Sequence, residues 1–417
     1  MILTHRDDVF IAGGQPTITY VERQDQDIER MLARAIATPN QVVSLAGPTK
    51  TGKTVLCKKV LNKRDYIWVD GGKIKTAHDF WQTVSSELNI PIEASNTLGS
   101  ESNISAETGL SFIITAGGSH LSSKSRTDFF KIDSMSQALE SMTKDRIVLV
   151  VDDFHYIPSD VRTDVMRNVK GAVFNGLKVV LLSVTHRVFD AIKAESELTG
   201  RFTTVTLPHW TKDDLIQIPR KGFEALGVSL NESFIDKLCD EAQENPFLMQ
   251  KFCWEICYDC GIERKGIVSN HQIPANYDFE TMCRKLALDA GLPIYKKLAA
   301  GPQNRKLREQ RPLKTGAKVD IYEATLLAIA ETGPKSTVKY DELRNVMSNL
   351  LADMVPQKHE ITSALNQLTK ISRDIGAESA IDWNEDSREI TVADPYLRFY
   401  LRWQVRQNSK IPESIRD

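Results

Sequence analysis

LAGPTKTGKT, residues Leu45–Thr54, sets Gly47 five positions ahead of Gly52 and follows Gly52 with Lys53 and Thr54. This is the spacing G-x-x-x-x-G-K-[ST] of a phosphate-binding loop. Gly47 and Gly52 let the backbone turn tightly and aim successive N–H groups at phosphate oxygens, with Pro48, Thr49, Lys50 and Thr51 forming the loop between them. The helical spacing of "TVLCKKVLNK" predicts a helix after the loop. Its first turn, through Val55, would add unpaired N–H groups and a positive dipole end. Lys53 supplies a point charge for β- and γ-phosphates, and the Thr54 hydroxyl is a ligand for Mg²⁺. A glycine turn with no ligand is the plainer reading, but a β-branched run precedes this one and a helix follows it.

A nucleotide site of this kind needs a second carboxylate on the metal side, at the end of another buried strand. "IVLVVDDFHYI" (147–157) supplies it, with an apolar run leading into Asp152 and Asp153. Asp152 is the candidate to hold Mg²⁺, and Asp153 stands where an acid can orient the attacking water. Aspartate reaches one methylene less far than the glutamate often found there, so slow turnover is expected. The next strand, "LKVVLLSVTHR", offers Ser183, Thr185 and Arg187 to the γ-phosphate; strand alternation favours Thr185 and Arg187. "LTGRFTTVTLP" presents Arg201 just before a fifth strand, where it could reach a neighbouring subunit's γ-phosphate. For these last residues a plain structural role stays open.

Outward from the loop, five short runs read as strands: 41–47, 65–71, 146–153, 177–185 and 203–208. Near-continuous Val, Ile and Leu suits strands buried on both faces of a parallel sheet. At 417 residues, with 41% hydrophobic and 26% charged residues, two or three domains are expected. The reading is a P-loop α/β domain over 20–208, preceded by a segment 1–19. A helical lid follows over 209–299, then a basic linker over 300–318. Helices followed by the strand pair around "IDWNEDSREITV" predict a winged helix over 319–408, with a tail at 409–417. The Ser- and Gly-rich stretch 92–128 reads as an insertion, either flexible or a hairpin built on "SFIIT".

The formal net charge is −2, so no global basic field advertises nucleic acid. No apolar run is long enough for a membrane span, and the N-terminus lacks a signal pattern, so a cytoplasmic protein is expected. Cys253, Cys257 and Cys260 form C-x3-C-x2-C, a spacing that can hold an iron–sulfur cluster on a loop. Within "FLMQKFCWEICYDC" they share one helix face, which reads as core packing.

In this order the motifs resemble the AAA+ superfamily and, within it, the prokaryotic STAND-like P-loop ATPases. "YVERQDQDIERML" (20–32) is similar to the entry motif near adenine, with Glu22 replacing the usual glycine; the resemblance implies a nucleotide contact for Arg23. "PHWTKDDLIQI" is similar to the start of the lid. "ENPFLMQKFC" resembles the lid's G-x-P element, with Glu244 in the glycine position and Pro246 kept. "ITVADPYLRFYLRW" (390–403) is similar to the end of the winged helix. The resemblance spans about residues 18–405 and implies an ATP- and Mg²⁺-dependent oligomeric switch, often in antiviral defence. No effector unit is visible in the sequence, so a separate effector polypeptide is expected.

The expected winged helix is poorly suited to DNA. Its third helix carries Lys358, His359, Lys370 and Arg373 against Glu360 and Asp374, and its wing is acidic, with Asp382, Glu385, Asp386 and Glu389 against Arg388. The linker basics (Arg305, Lys306, Arg308, Arg311, Lys314) and the last-helix arginines (Arg398, Arg402, Arg406) keep two alternatives open. One is a DNA-remodelling or transposition-type ATPase on duplex DNA. The other is a scaffold that binds ATP without hydrolysing it.

Overall fold

The computed structural model describes residues 4–23, 27–90, 134–184, 200–265, 271–303, 308–333, 335–353, 355–375 and 379–406. After the short helix α1 (Arg6–Val9) and α2 (Ile28–Ala37), the first strand β1 (Val42–Ala46) is buried along its whole length. It runs through the phosphate loop into α3 (Lys53–Leu61). Next come β2 (Tyr66–Asp70), α4 (Ala77–Glu87), α5 (Ser134–Lys144), β3 (Val148–Asp152), α6 (Ser159–Phe174), β4 (Lys178–Ser183) and β5 (Phe202–Thr206). All five strands pair in parallel in the order β2-β3-β4-β1-β5.

The parallel pairing follows from the residue types. Val and Leu at both faces need helices on both sides, and a parallel sheet supplies them through its crossovers. One face packs Phe80, Trp81, Met142 and Met166 from α4, α5 and α6. The other packs Ile28, Leu32, Leu56 and Leu61 from α2 and α3. All the strands end on one edge, and in open parallel sheets ligands bind beyond that carboxyl edge.

The second half is largely helical: α7 (Lys212–Leu226), α8 (Glu232–Ala242), α9 (Pro246–Asp259) and α10 (Phe279–Ala300). Two short pairs interrupt it, β6 (Val228–Ser229) with β7 (His271–Gln272) and β8 (Arg311–Pro312) with β9 (Lys318–Val319). The C-terminal unit holds α11 (Ile321–Glu331), β10 (Thr337–Lys339), α12 (Tyr340–Leu350) and α13 (Lys358–Ile375). Then β11 (Ile381–Asn384), β12 (Glu389–Val392) and α14 (Pro395–Tyr400) follow. Its strands pair antiparallel in the order β10-β12-β11, so the hairpin read from the sequence carries one further strand that the sequence reading lacked. β10 has a single buried residue, Val338, too short a pattern to read. After α14 the chain continues as a π-helical turn, Leu401–Val405.

The regions read as lid and winged helix bury their apolar faces in one continuous core. It runs from Val9 and Phe10 through Phe252 and Phe279 to Phe399 and Trp403. The cysteines Cys239, Cys253, Cys257 and Cys283 belong to it, and burial pushes the Cys257 thiol up to about 12. Among the described residues no group of three His, Cys, Asp or Glu side chains could hold a metal. The stretch 92–128 and the tail 409–417 lie outside the described residues. Within 300–318, Arg308 is tied to Asp320 at 2.7 Å and Arg311 to Glu360 at 2.7 Å. No described helix is long and apolar enough to cross a membrane.

Candidate nucleotide site

The loop between β1 and α3 owes its shape to two glycines. Gly47 passes so close to the chain leaving β5 that a Cβ there would meet Leu207 Cβ at 2.8 Å. Its N–H donates to Ser183 O on the other neighbouring strand at 3.3 Å. Gly52 starts α3 at φ +97°, a conformation side-chain-bearing residues avoid. Lys50 also adopts positive φ, at +58°. The result is a tight turn that leads directly into the N-terminus of α3.

Lys53 is only 8% exposed, and its Nζ donates to Gly47 O at 3.0 Å and Pro48 O at 2.9 Å. Thr54 Oγ1 donates to Asp152 Oδ2 at 2.9 Å, joining α3 to the end of β3 across the intervening strand β4. The other Asp152 oxygen accepts from Asp153 N at 3.0 Å. Burial is the main influence on Asp152 and raises its pKa against those two hydrogen bonds. Asp153 lies at φ +51°, and burial, then the Asp152 charge, push its carboxyl up to about 6. Gly71, after β2, makes room for this acid pair: a Cβ there would sit 2.5 Å from Asp153 O and 2.8 Å from Asp152 O. The sequence signal for it was the Gly71–Gly72 step after a strand.

These groups open into a cavity of about 540 Å³, within the size range of small-molecule sites. Thr49, Lys50, Thr51, Gly52, Lys53, Thr54 and Val55 line one side, with Asp152 and Asp153 alongside. Arg23 and Pro246 line it too, whereas Gly47 and Pro48 are not among its lining residues.

Arg23 is 6% exposed, donates to Pro208 O at 3.0 Å and stacks over Trp210 at 5.0 Å. Trp210 Nε1 donates to Thr51 O at 2.9 Å, so the chain leading into α7 holds the phosphate loop and links Arg23 to it. Pro246 is the first residue of α9, capped by the Asn245 side chain. Glu244, where the resemblance expects glycine, has φ +60°, the backbone for which glycine is least costly. Its carboxylate instead meets His209 at 3.3 Å.

The remaining candidates part company. Thr185 and Arg187 lie outside the described residues. Ser183 is 3% exposed at the end of β4, and its hydroxyl has no hydrogen-bond partner among the described residues. Arg201 lies at the opposite edge of the sheet, where its carbonyl accepts from Val42 N at 2.8 Å. Strands rise ~3.3 Å per residue, so the five residues of β5 hold it about 17 Å from the cavity edge. Its guanidinium covers the Phe174 ring at 3.8 Å. It serves no role in this chain's own cavity.

Sequence reasoning missed one wall. The segment from Ile11 to Val21 contributes to the cavity lining together with Ile218 and Phe247, and its Gln15 Nε2 donates to Val55 O at 3.2 Å, beside the phosphate loop. Gln250, 4% exposed on α9, holds this wall: its Nε2 donates to Thr19 Oγ1 at 2.7 Å and its Oε1 accepts from Ile11 N at 3.2 Å. Thr19 Oγ1 in turn donates to Val9 O at 2.8 Å. The one signal was a glutamine amid the apolar run "PFLMQKFC".

The basic residues that kept a DNA reading open mostly have internal partners. Arg402 makes a two-pronged contact with Glu241 at 2.7 and 2.8 Å, and Arg406 meets Glu331 at 3.5 Å. Arg373 pairs with Asp382, and Arg388 with Asp341.

The strand order and the placement of loop and acids define a parallel five-stranded α/β P-loop fold, followed by a largely helical C-terminal region. No family model matches the chain. No curated protein matches it in sequence either. Among solved structures, the Walker-type ATPase of Pyrococcus abyssi matches at a TM-score of 0.54 and 14% identity, covering 92% of this chain and 99% of its own. Cdc6p from Pyrobaculum aerophilum has a TM-score of 0.44 and 13% identity, over 98% of this chain and 100% of that one. The RuvB Holliday junction branch migration motor of Thermotoga maritima has 0.41 and 13%, over 90% and 93%. Of these three, the first bears on the fold.

Proposed function

We propose that the chain binds and slowly hydrolyses ATP, and that the nucleotide controls self-assembly or engagement of a separate effector protein. The observation that carries this reading is the Thr54–Asp152 hydrogen bond at 2.9 Å, beside Lys53 and on the rim of the same cavity. A hydroxyl and a carboxylate converging there are oxygen donors suited to Mg²⁺, which favours oxygen ligands. When bound, Mg²⁺ offsets the charge of the β- and γ-phosphates. Lys53 would leave its two carbonyl partners for the phosphates, and Asp153 would accept the proton of the attacking water. The short Asp153 side chain supports slow turnover.

Arg201, far from this chain's own cavity, belongs to this reading only as a contact made to a neighbouring copy in the assembly. The STAND-like resemblance supports antiviral defence as the setting. The internal ion pairs of Arg308, Arg311, Arg402 and Arg406 speak against the duplex-DNA alternative. The ATP-binding scaffold that does not hydrolyse remains distinguished by turnover alone.

The test is Lys53→Ala. Its expected outcome is a folded protein with hydrolysis reduced about 10²–10³-fold, the scale for losing one transition-state donor. Sizing the wild type with and without ATP–Mg²⁺ then reads the switch. An assembly state and partner binding that ignore the nucleotide would sink the switch, and steep salt-dependent stimulation by duplex DNA would restore the alternative.

A further inference from the structure

Lys50, the left-handed residue in the phosphate loop, has a partner far away in sequence. Its Nζ lies 3.0 Å from Asp394 Oδ2 and 3.7 Å from the centre of the Tyr396 ring. Both residues stand at the start of α14, in the C-terminal unit. The pair is largely sheltered, with 27% of the Lys50 side chain and 15% of Asp394 exposed, so salt screens it less than an open surface pair. Asp394 is tied to its helix as well: its Oδ1 accepts from Leu397 N at 2.8 Å as the cap of α14. Tyr396 stands edge-on to Phe247 at 5.4 Å, and Phe247 lines the same cavity as Lys50.

A carboxylate at ion-pair distance from a phosphate-loop lysine opposes a polyphosphate in that loop. One ammonium therefore faces two rival anions. Asp394 also has a second cation in its field, Arg398 on the same helix, so it need not be left bare if Lys50 turns away. The other strong anchor of this segment, Arg402 with Trp403 on Glu241, grips the lid rather than the phosphate loop.

We propose that Lys50 is a ligand of the nucleotide phosphates whose counter-ion is Asp394, so that phosphate binding and docking of α14 on the loop compete for one ammonium. This rests on the reading of the cavity as an ATP site. Reciprocity follows: whatever lifts α14 from the loop tightens nucleotide binding, and bound nucleotide loosens α14 by the same factor.

The experiment is calorimetric titration of the full chain with ADP and with a slowly hydrolysed ATP analogue, for wild type, Asp394→Asn, Lys50→Met and the double variant. Asparagine caps a helix as well as aspartate does, so Asp394→Asn removes the charge and keeps α14. Asp394→Asn is expected to bind about tenfold tighter, within the usual range of coupling between sites. In the Lys50→Met background the same change should do nothing, which separates the contact from a long-range field. Hydrogen exchange over 395–405 should rise when nucleotide binds the wild type, and be raised in Asp394→Asn without it. Unchanged affinity in Asp394→Asn overturns the proposal, as does an equal gain in the Lys50→Met background. A wild type that binds no nucleotide removes the ATP-site reading along with it. Binding by wild type with an indifferent Asp394→Asn removes this inference alone.

Discussion

At Asp153 the backbone and the charge are both under constraint. Its φ of +51° is one that asparagine tolerates as well as aspartate, and burial with Asp152 pushes its carboxyl up to about 6. The folded protein holds this proton more tightly than the unfolded chain does. The group's stabilising contribution is therefore fully present below the ordinary carboxylate range of about 4 and is lost as pH rises through about 6. Asp153→Asn in chelator should raise the thermal midpoint at pH 8 and leave it nearly unchanged at pH 4, as scanning calorimetry would read. The same variant should lower ATP hydrolysis about 10²–10⁴-fold, the range for losing a general base, while nucleotide binding persists. Loss of binding together with hydrolysis would assign Asp153 to the ligand cradle instead. The phosphate loop and both acids were legible in the sequence because each obeys a local rule. Gly71 was not, since its requirement comes from the carbonyls of a neighbouring strand.

At the level of elements, α10 and α14 cross where Gly291 has no side chain. A Cβ there would fall 2.2 Å from Tyr400 Cβ and 2.7 Å from Tyr396 O. Gly291→Ala favours the helix locally but forces the crossing apart, and overpacking of this kind costs about 1–3 kcal/mol. Urea unfolding should show that loss, and Ala at the exposed Gly171, with nothing within 4 Å, should show none. Equal stability of both variants would mean the crossing is looser than described. The five sheet strands were readable from short β-branched runs, near-continuously apolar in β1, β3 and β4. β10 was not, because three residues with one buried valine carry no period of their own and are fixed by pairing with β12. The last-helix arginines looked like a solvent or DNA face by spacing alone, but the carboxylate partners of Arg402 and Arg406 lie on α8 and α11, and Arg398 donates to Gln243 O.

For the molecule as a whole, the cavity is closed by contacts between distant parts of the chain. Gln250 joins the N-terminal wall to α9 through Thr19 and Ile11. Gln250→Ala strands buried donors and acceptors at a cost of about 1–3 kcal/mol. It should also weaken nucleotide binding several-fold and shrink the rise in melting temperature that ATP confers; unchanged affinity would mean the wall is not part of the site. The sequence by itself determined the phosphate loop, the acid pair and the alternation of buried strands with helices. Those depend on neighbours within one turn or one strand, where residue type fixes backbone shape and burial. Only the tertiary structure decided that residues 11–21 wall the cavity, that Arg201 lies at the far edge of the sheet, and that Lys50 answers to Asp394. Those are pairings between segments up to 344 residues apart, set by how the single helical core closes against the sheet, and no local pattern encodes which distant partner arrives.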